Sequence, residues 1–392
     1  MQAVGGFDTC LDGILRTTPD GWPVELVGSS GDVRARPIGK WLDLEFAGRP
    51  VRFLAALANP KTNRPSRLPL SLQFAVACRR RAVHASGRIV QYHRFESGLG
   101  VPAGSRQRCV YFLHNHPPEE TRSTHNNVRW RHLRGIHDAI LTGRLRQASL
   151  VVAVDPRTPG WVRSTFPALR DRVVALPQWA DPSVFRLATS EERLEEAARL
   201  RADHGLPPDS KIVLFAGRLE PQKDPLLLAR AFAQLAATRP EVFLLIVGEG
   251  EMRAAMDEAV RALGVAERVR WMSSVGRIEL SAIYRACNVS ACTSAFEGGP
   301  RTAFEALASG TPVVTLDVGQ IGPVLKLRPE VGVLVREREE RAFAAGLAAV
   351  LFRPADAELG HRCADAVRDH TPERALAGLF HQYRAWEDGR FV

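Results

Sequence analysis

Two glutamates stand eight positions apart in the run Ser294-Ala-Phe-Glu297-Gly298-Gly299-Pro300-Arg301-Thr-Ala-Phe-Glu305, which closes on Gly310-Thr311-Pro312. The run follows an apolar segment, Val289–Cys292, turns through Gly298-Gly299 and enters a helix. Pro300 falls near the first helical position, where a missing N–H does no harm, and Gly310 ends the helix before the next strand. Free amides at such a helix start, with the positive end of the helix dipole, suit a phosphate. Glycines let a ligand approach the backbone closely. Glu297 precedes the helix and Glu305 lies one to two turns inside it, so the two carboxylates address different parts of one ligand. A carboxylate beside a sugar accepts hydrogen bonds from paired hydroxyls. Taken alone, the same pair reads equally as a helix-start charge and a solvated face residue.

Histidines supply the second candidate chemistry. Gln91-Tyr92-His93 closes one apolar run and Tyr111-Phe-Leu-His114-Asn-His116 closes the next. In open parallel sheets ligands bind beyond the carboxyl ends of strands, which is where these imidazoles fall. Such a group positions a hydroxyl or stabilises a reacting centre, although a lone histidine is also often structural. His114, His116 and His125 have no carboxylate at ligand spacing, so no metal centre is expected.

The elements that must carry these residues alternate along the chain. Short β-branched runs recur at Val24–Val27, Val51–Leu54, Ile89–Tyr92, Val110–Leu113, Leu150–Val154 and Val173–Leu176. After a polar stretch from Asp181 to Glu192 they resume at Ile212–Phe215, Val242–Val247, Val269–Met272, Val289–Cys292, Pro312–Leu316 and Gly332–Val335. Helical patterns separate most of them. This alternation predicts an α/β protein of two doubly wound domains with parallel sheets and a cleft between them, breaking near residue 185. A length of 392 residues with 45% apolar and 24% charged residues fits two domains of ordinary size and excludes global disorder. The six scattered cysteines form no C-x-x-C pair, which excludes a zinc ribbon or disulfide framework and suits a reducing cytoplasm. No apolar run reaches the length of a membrane span. The net charge of +10 is uneven: residues 1–185 hold 26 Lys and Arg against 14 Asp and Glu. That excess suits an anionic partner such as a lipid headgroup, nucleic acid or a phosphorylated substrate. It also matches a plain arginine-rich composition.

The Glu-x7-Glu run with its Gly-Thr-Pro-Val-Val ending resembles the signature of retaining glycosyltransferases of the GT-B fold, especially glycosyltransferase family 4. The likeness extends to Phe215-Ala-Gly217-Arg218-Leu-Glu-Pro-Gln-Lys223, to Leu245-Ile-Val-Gly248-Glu-Gly250 and to Pro177-Gln-Trp-Ala-Asp181-Pro-Ser-Val-Phe185. The resemblance implies an acceptor-side domain over 1–182, a donor domain over 183–374 and a helix over 375–392 that crosses back. It implies that Arg218 and Lys223 flank the nucleotide diphosphate and that Gly298, Gly299 and Arg301 cradle its distal phosphate. By the same resemblance Glu297 holds the transferred sugar, Glu305 the ribose, Met272 and Ser273 the base, and His93 the reacting centre. The implied reaction moves a sugar from a UDP- or GDP-linked donor to a sugar or lipid-linked acceptor, in cell-surface polysaccharide or glycolipid synthesis. It needs no further cofactor, no metal and no nucleic acid. A non-catalytic sugar-nucleotide binding protein and a nucleotide-sugar epimerase on the same fold are the alternatives.

Two further expectations concern the first half. A helical stripe of Leu133, Ile136, Ile140 and Leu141 within 128–148, opposite Arg131, His132 and Arg146, together with Arg79–Arg81, suits a cytoplasmic protein resting on an anionic membrane surface. Packing of that stripe on the sheet is the competing reading. Gly5-Gly6 resembles the family's acceptor-side phosphate loop, Phe7 to Leu15 the helix after it and Val24–Val27 the second strand. Only Met1 to Val4 precede the loop, so a first strand is expected to be missing.

Overall fold

The computed structural model describes residues 6–59, 68–122 and 132–389. The chain divides into two compact units, one built on Cys10–Leu176 with Leu376–Val392 and the other on Pro177–Ala375. Gly5 lies outside the described residues, as do His125 and 128–131.

The first half runs α1 Gly6–Thr17, β1 Glu25–Ser30, β2 Trp41–Phe46, β3 Arg49–Ala58, α2 Leu70–Arg80, β4 Ile89–Tyr92, α3 Ser97–Gly100, β5 Arg108–Leu113, α4 Pro117–Arg122, α5 Arg134–Leu145, β6 Leu150–Ala153, α6 Thr158–Thr165 and β7 Val173–Ala175. Its strands form two sheets. One is parallel throughout, in the order β4-β5-β6-β7, and the other has the order β1-β3-β2. The expectation of parallel strands alone is corrected in the second of these. β2 is antiparallel to β3, joined through Ala47 and Gly48, whose φ angles of 55° and 75° are those of a tight hairpin turn. The helical stripe of the same half divides: Leu141 is buried and Ile140 packs on the core around it. α5 buries His137, Leu141 and Leu145, spaced four apart, whereas Ile136 is exposed. His137 meets the Phe95 ring edge-on at 5.0 Å and belongs to the buried face.

The second half continues with α7 Ser190–Asp203, β8 Lys211–Ala216, α8 Pro225–Thr238, β9 Val242–Val247, α9 Arg253–Ala262, β10 Val269–Met272, α10 Arg277–Ala286, β11 Val289–Cys292, α11 Arg301–Ala308, β12 Val313–Leu316, α12 Ile321–Leu327, β13 Gly332–Val335, α13 Glu340–Leu351 and α14 Leu359–Val367. α15, Pro372–Glu387, carries the chain from this unit into the other. The six strands are all parallel, in the order β10-β9-β8-β11-β12-β13. Strands such as Val-Phe-Leu-Leu-Ile-Val are apolar along nearly their whole length because both faces are covered. One face packs Phe232, Leu235, Met256 and Phe343 against the sheet, and the other packs Phe185, Tyr284, Phe304 and Cys363.

This strand order positions the site. The chain lays down β8, β9 and β10 in one direction and then returns to place β11 on the other side of β8. The helices leaving β8 and β11 therefore part to opposite faces, which opens a crevice at the carboxyl ends of those two strands. Gly248 makes the crevice floor possible. Its φ is 142°, and a Cβ there would lie 2.0 Å from the carbonyl oxygen of Gly217, so only glycine lets the turn after β8 cross the end of β9.

Gly248→Ala is therefore expected to destabilise the second unit by about 2–3 kcal/mol. Gly378→Ala, inside α15 with open space around it, is expected to be neutral or stabilising by up to about 1 kcal/mol. Urea midpoints of the two variants check this, and an unchanged midpoint for Gly248→Ala would contradict the crossing as described.

Candidate active site

At the crevice the turn after β8 and the loop after β11 are knitted together. Thr293 Oγ1 donates to the Lys223 carbonyl at 2.8 Å, the Ala295 amide to the Gln222 carbonyl at 2.7 Å, and Gln222 Nε2 to the Phe296 carbonyl at 3.0 Å. These bonds seat the Lys223 ammonium on the Glu297 carboxylate, which also accepts from Ser294 Oγ at 2.9 Å. Both charged side chains are nearly out of water, 17% and 10% exposed. Burial opposes the charge on Lys223, but the Glu297 carboxylate outweighs it and holds the ammonium above its ordinary range.

Around this pair the structure places the other sequence-derived residues of the second unit. Gly298 and Gly299 form the turn, Pro300 caps α11 and Arg301 is its first residue. A Cβ on Gly299 would meet the Gln178 side chain at 3.0 Å, and one on Gly319 would meet the Gly298 carbonyl oxygen at 2.7 Å, so the loop is gripped from both sides. Glu305, buried inside α11, is raised above the usual carboxylate range by burial, against the pull of Arg301, Arg277 and Lys223. Arg218 lies on the same turn as Lys223 but is over half exposed and paired with Glu220 at 2.5 Å. Met272 ends β10, two strands from β8, and its carbonyl accepts from the Gly248 amide at 3.0 Å; Ser273 beside it is exposed. With strands about 4.8 Å apart, the Met272–Ser273 end stands roughly 10 Å across the sheet from the end of β8. That span suits a base at one end and a diphosphate at the other.

Several residues of this site were not singled out from the sequence. Trp179 accepts from Arg301 Nη1 at its carbonyl, 3.3 Å, and its ring lies under that guanidinium at 4.9 Å. Arg277 pairs with buried Asp181 at 3.0 Å, and His370 Nδ1 lies 2.9 Å from the Gln178 carbonyl oxygen. Thr293 and Ser294, two hydroxyls directly after an apolar strand, were the one legible signal among them.

The first unit gathers its own polar groups at the carboxyl ends of β4, β5 and β6. His93 stacks on Phe112 at 4.2 Å; its Nδ1 lies 3.2 Å from His114 Nε2 and its Nε2 3.3 Å from Gln91 Oε1. Gln91 Oε1 can only accept, so His93 carries its proton on Nε2 and receives the His114 N–H at Nδ1. Buried Asp155 accepts from the backbone amide of Arg157 at 2.8 Å, and His116 Nδ1 sits 3.1 Å from Thr158 Oγ1. Gly6 opens α1. Among the described residues no group of His, Cys, Asp and Glu could hold a metal ion, and no helix is long and apolar enough to cross a membrane.

The fold is that of GT-B glycosyltransferases. The chain aligns over 98% of its length with 94% of sucrose-phosphate synthase from Thermosynechococcus elongatus, at a TM-score of 0.79 and 21% identity. It aligns over 97% of its length with 98% of Anabaena Alr3699/HepE in complex with UDP and glucose, at a TM-score of 0.68 and 18% identity. At the level of sequence, residues 196–370, within the second unit, match the family described as glycosyl transferases group 1. Relatives include D-inositol 3-phosphate glycosyltransferases of Nocardia farcinica, 34% identical over 228 residues, and of Segniliparus rotundus, 32% identical over 231. These matches cover 56% and 58% of the chain. They span about half the length of those relatives, 49% and 50%.

The His93 environment has a consequence for pH. Burial pushes this imidazole down to about 4 from an ordinary 6.5. Between those values the unfolded chain takes up the proton and the native chain does not, so the contribution is complete above pH 6.5 and lost as pH falls toward 4. His93→Gln is expected to lose less stability than the parent between pH 7.5 and pH 5, read as the change in urea midpoint. Equal losses would show that His93 is not buried neutral.

Proposed function

We propose that the protein is a retaining glycosyltransferase that moves a sugar from a nucleotide-diphosphate sugar to an acceptor hydroxyl. The single observation that carries this reading is the buried Lys223–Glu297 pair, set beside the amides of Gly298 and Gly299 at the start of α11. A cation and a helix start converge on one point, as a diphosphate requires. A carboxylate stands within reach of whatever that diphosphate bears.

In this reading Lys223, the loop amides and the exposed Arg218 neutralise the charge that grows on the leaving diphosphate as the glycosidic bond breaks. Glu297 accepts hydrogen bonds from the transferred sugar and Glu305 from the ribose, while Arg301 steadies the loop through Trp179. Backbone groups near Met272 and Ser273 line the base, which is that of a UDP- or GDP-linked donor. The acceptor oxygen approaches on the face the nucleotide leaves and its proton passes to the departing phosphate, so no side chain becomes a covalent nucleophile. His93, held neutral between Gln91 and His114, positions a hydroxyl at the reacting centre by exchanging one of these two partners for it. Gly5 and Gly6 belong to the acceptor side.

The acceptor we assign is anionic, a phosphorylated sugar or a lipid-linked sugar used in cell-surface polysaccharide or glycolipid synthesis. The basic first half of the chain supports this, and so does the phosphorylated inositol in the names of the relatives. A cytoplasmic protein peripheral to an anionic membrane face fits such an acceptor.

A thermal-shift screen against UDP-, GDP- and ADP-sugars identifies the donor, since a ligand at a hundredfold excess over its Kd stabilises by about 2.7 kcal/mol. With the responding donor, Lys223→Ala and Glu297→Gln are each expected to lower turnover on the order of a hundredfold or more, in a chain that still folds but with a lower urea midpoint because one buried charge is left unpaired. Near-normal turnover in either would remove the assignment. Donor binding without transfer or hydrolysis would favour a binding protein, and sugar isomerisation an epimerase.

A further inference from the structure

At the opposite end of the second unit's sheet, below the amino ends of β11 and β12, lies a cavity of about 210 Å³ walled by Arg193, Asn288, Pro312 and the segment Arg353–Asp356. Its two guanidiniums meet only carbonyl oxygens. Arg193 Nη1 donates to Gly310 at 3.3 Å; Arg353 donates to Glu330 at 2.6 Å and to Val350 at 3.1 Å. The nearby carboxylates are engaged elsewhere: Asp356 in the wall with Arg362, Glu196 with Arg285 and Glu330 with Arg328. Cys287 and Cys363 behind the wall add no negative charge, because burial raises both thiols and keeps them protonated. Burial also presses on Arg193 and Arg353 themselves, lowering both below the ordinary guanidinium range. Two partly desolvated cations facing one small cavity are stabilised most by an anion with several acceptor oxygens.

We propose that this cavity binds a small phosphate-bearing anion, at a site separate from the crevice at the carboxyl ends of the strands. Its neighbour Gly310 ends α11, the helix whose first residue adjoins the Gly298–Gly299 turn. At 1.5 Å per residue the two ends of that helix are about 12 Å apart, so an anion held through Arg193 touches the far end of the element that presents the other site.

The test reads binding rather than transfer, so its result is separate from that of the proposed reaction. Lys223→Ala protein is titrated with sodium phosphate against sodium chloride of equal ionic strength while its melting temperature is followed. That substitution weakens the donor-side anion site, and the cavity variants below separate the cavity from the acceptor side. Phosphate is expected to raise the melting temperature by about 2–4 °C once it exceeds its Kd several-fold. Adding Arg353→Gln is expected to abolish the rise. Ala355→Glu, an exposed rim position that touches no helix end, should abolish it too, and it keeps the test valid if Arg353→Gln fails to fold. Glycerol 3-phosphate is the second probe. A larger rise than with phosphate assigns the site to a phosphate monoester, an equal rise to free phosphate. A rise seen only with Lys223 intact, or one that survives Ala355→Glu, would overturn the proposal.

Discussion

A buried ammonium facing a buried carboxylate constrains everything around it. Lys223 and Glu297 are each costly to hold out of water alone, and removing either would leave the other as an uncompensated charge. The pair forms only because β8 and β11, far apart in sequence, lie side by side in the sheet. It further requires that the turns leaving those strands be stitched to one another through Thr293, Gln222 and Ala295. Each of those turns also passes close over the segment after its neighbouring strand, which demands glycine at 248, after β9 and against 217, and at 319, after β12 and against 298. Strand order, turn contacts and glycine positions are thus the conditions under which this one ion pair forms. In the proposed reaction the diphosphate becomes the partner of Lys223, and Glu297 is released to the sugar hydroxyls. The resting pair is then the apo form's substitute for both.

Much of this was legible from residue order. Most strands of the second unit are continuous apolar runs of four to six residues between turn signals, the pattern of strands buried on both faces of a parallel sheet. The Glu-x7-Glu run sits where its glycines and proline place it, at a strand end opening into a helix. Glu305 shows where reading one residue alone fails: on a helix surface it looks solvated, yet α11 is covered on that side, and only packing reveals it. The contacts of Gln178 and Trp179, in the quoted Pro177–Phe185 segment, and of His370 were illegible for a related reason. Their roles arise from a segment wrapping back on α11, a contact that no local pattern encodes.

The first unit was read less well, and the reasons are specific. β2 alternates as Trp-Leu-Asp-Leu-Glu-Phe, half exposed along its length, and a search for continuous buried runs passes over an edge hairpin. On α5 the stripe read from the sequence holds at Ile140 and Leu141 but omits His137, whose ring packs on Phe95. The His93–His114 contact follows from adjacent strands in register, β4 beside β5. Sequence placed both imidazoles at strand ends but could not say that they touch.

The central claim is that Glu297 is the resting counter-ion of Lys223 and that a diphosphate takes its place. Isothermal titration of the free nucleoside diphosphate, without sugar, into wild type and Glu297→Gln tests it most directly. Neutralising the carboxylate leaves Lys223 without its competitor, so the account predicts tighter binding, by roughly tenfold for each 1.4 kcal/mol of attraction recovered. Unchanged or weaker binding to Glu297→Gln, with its fold intact, would contradict the account.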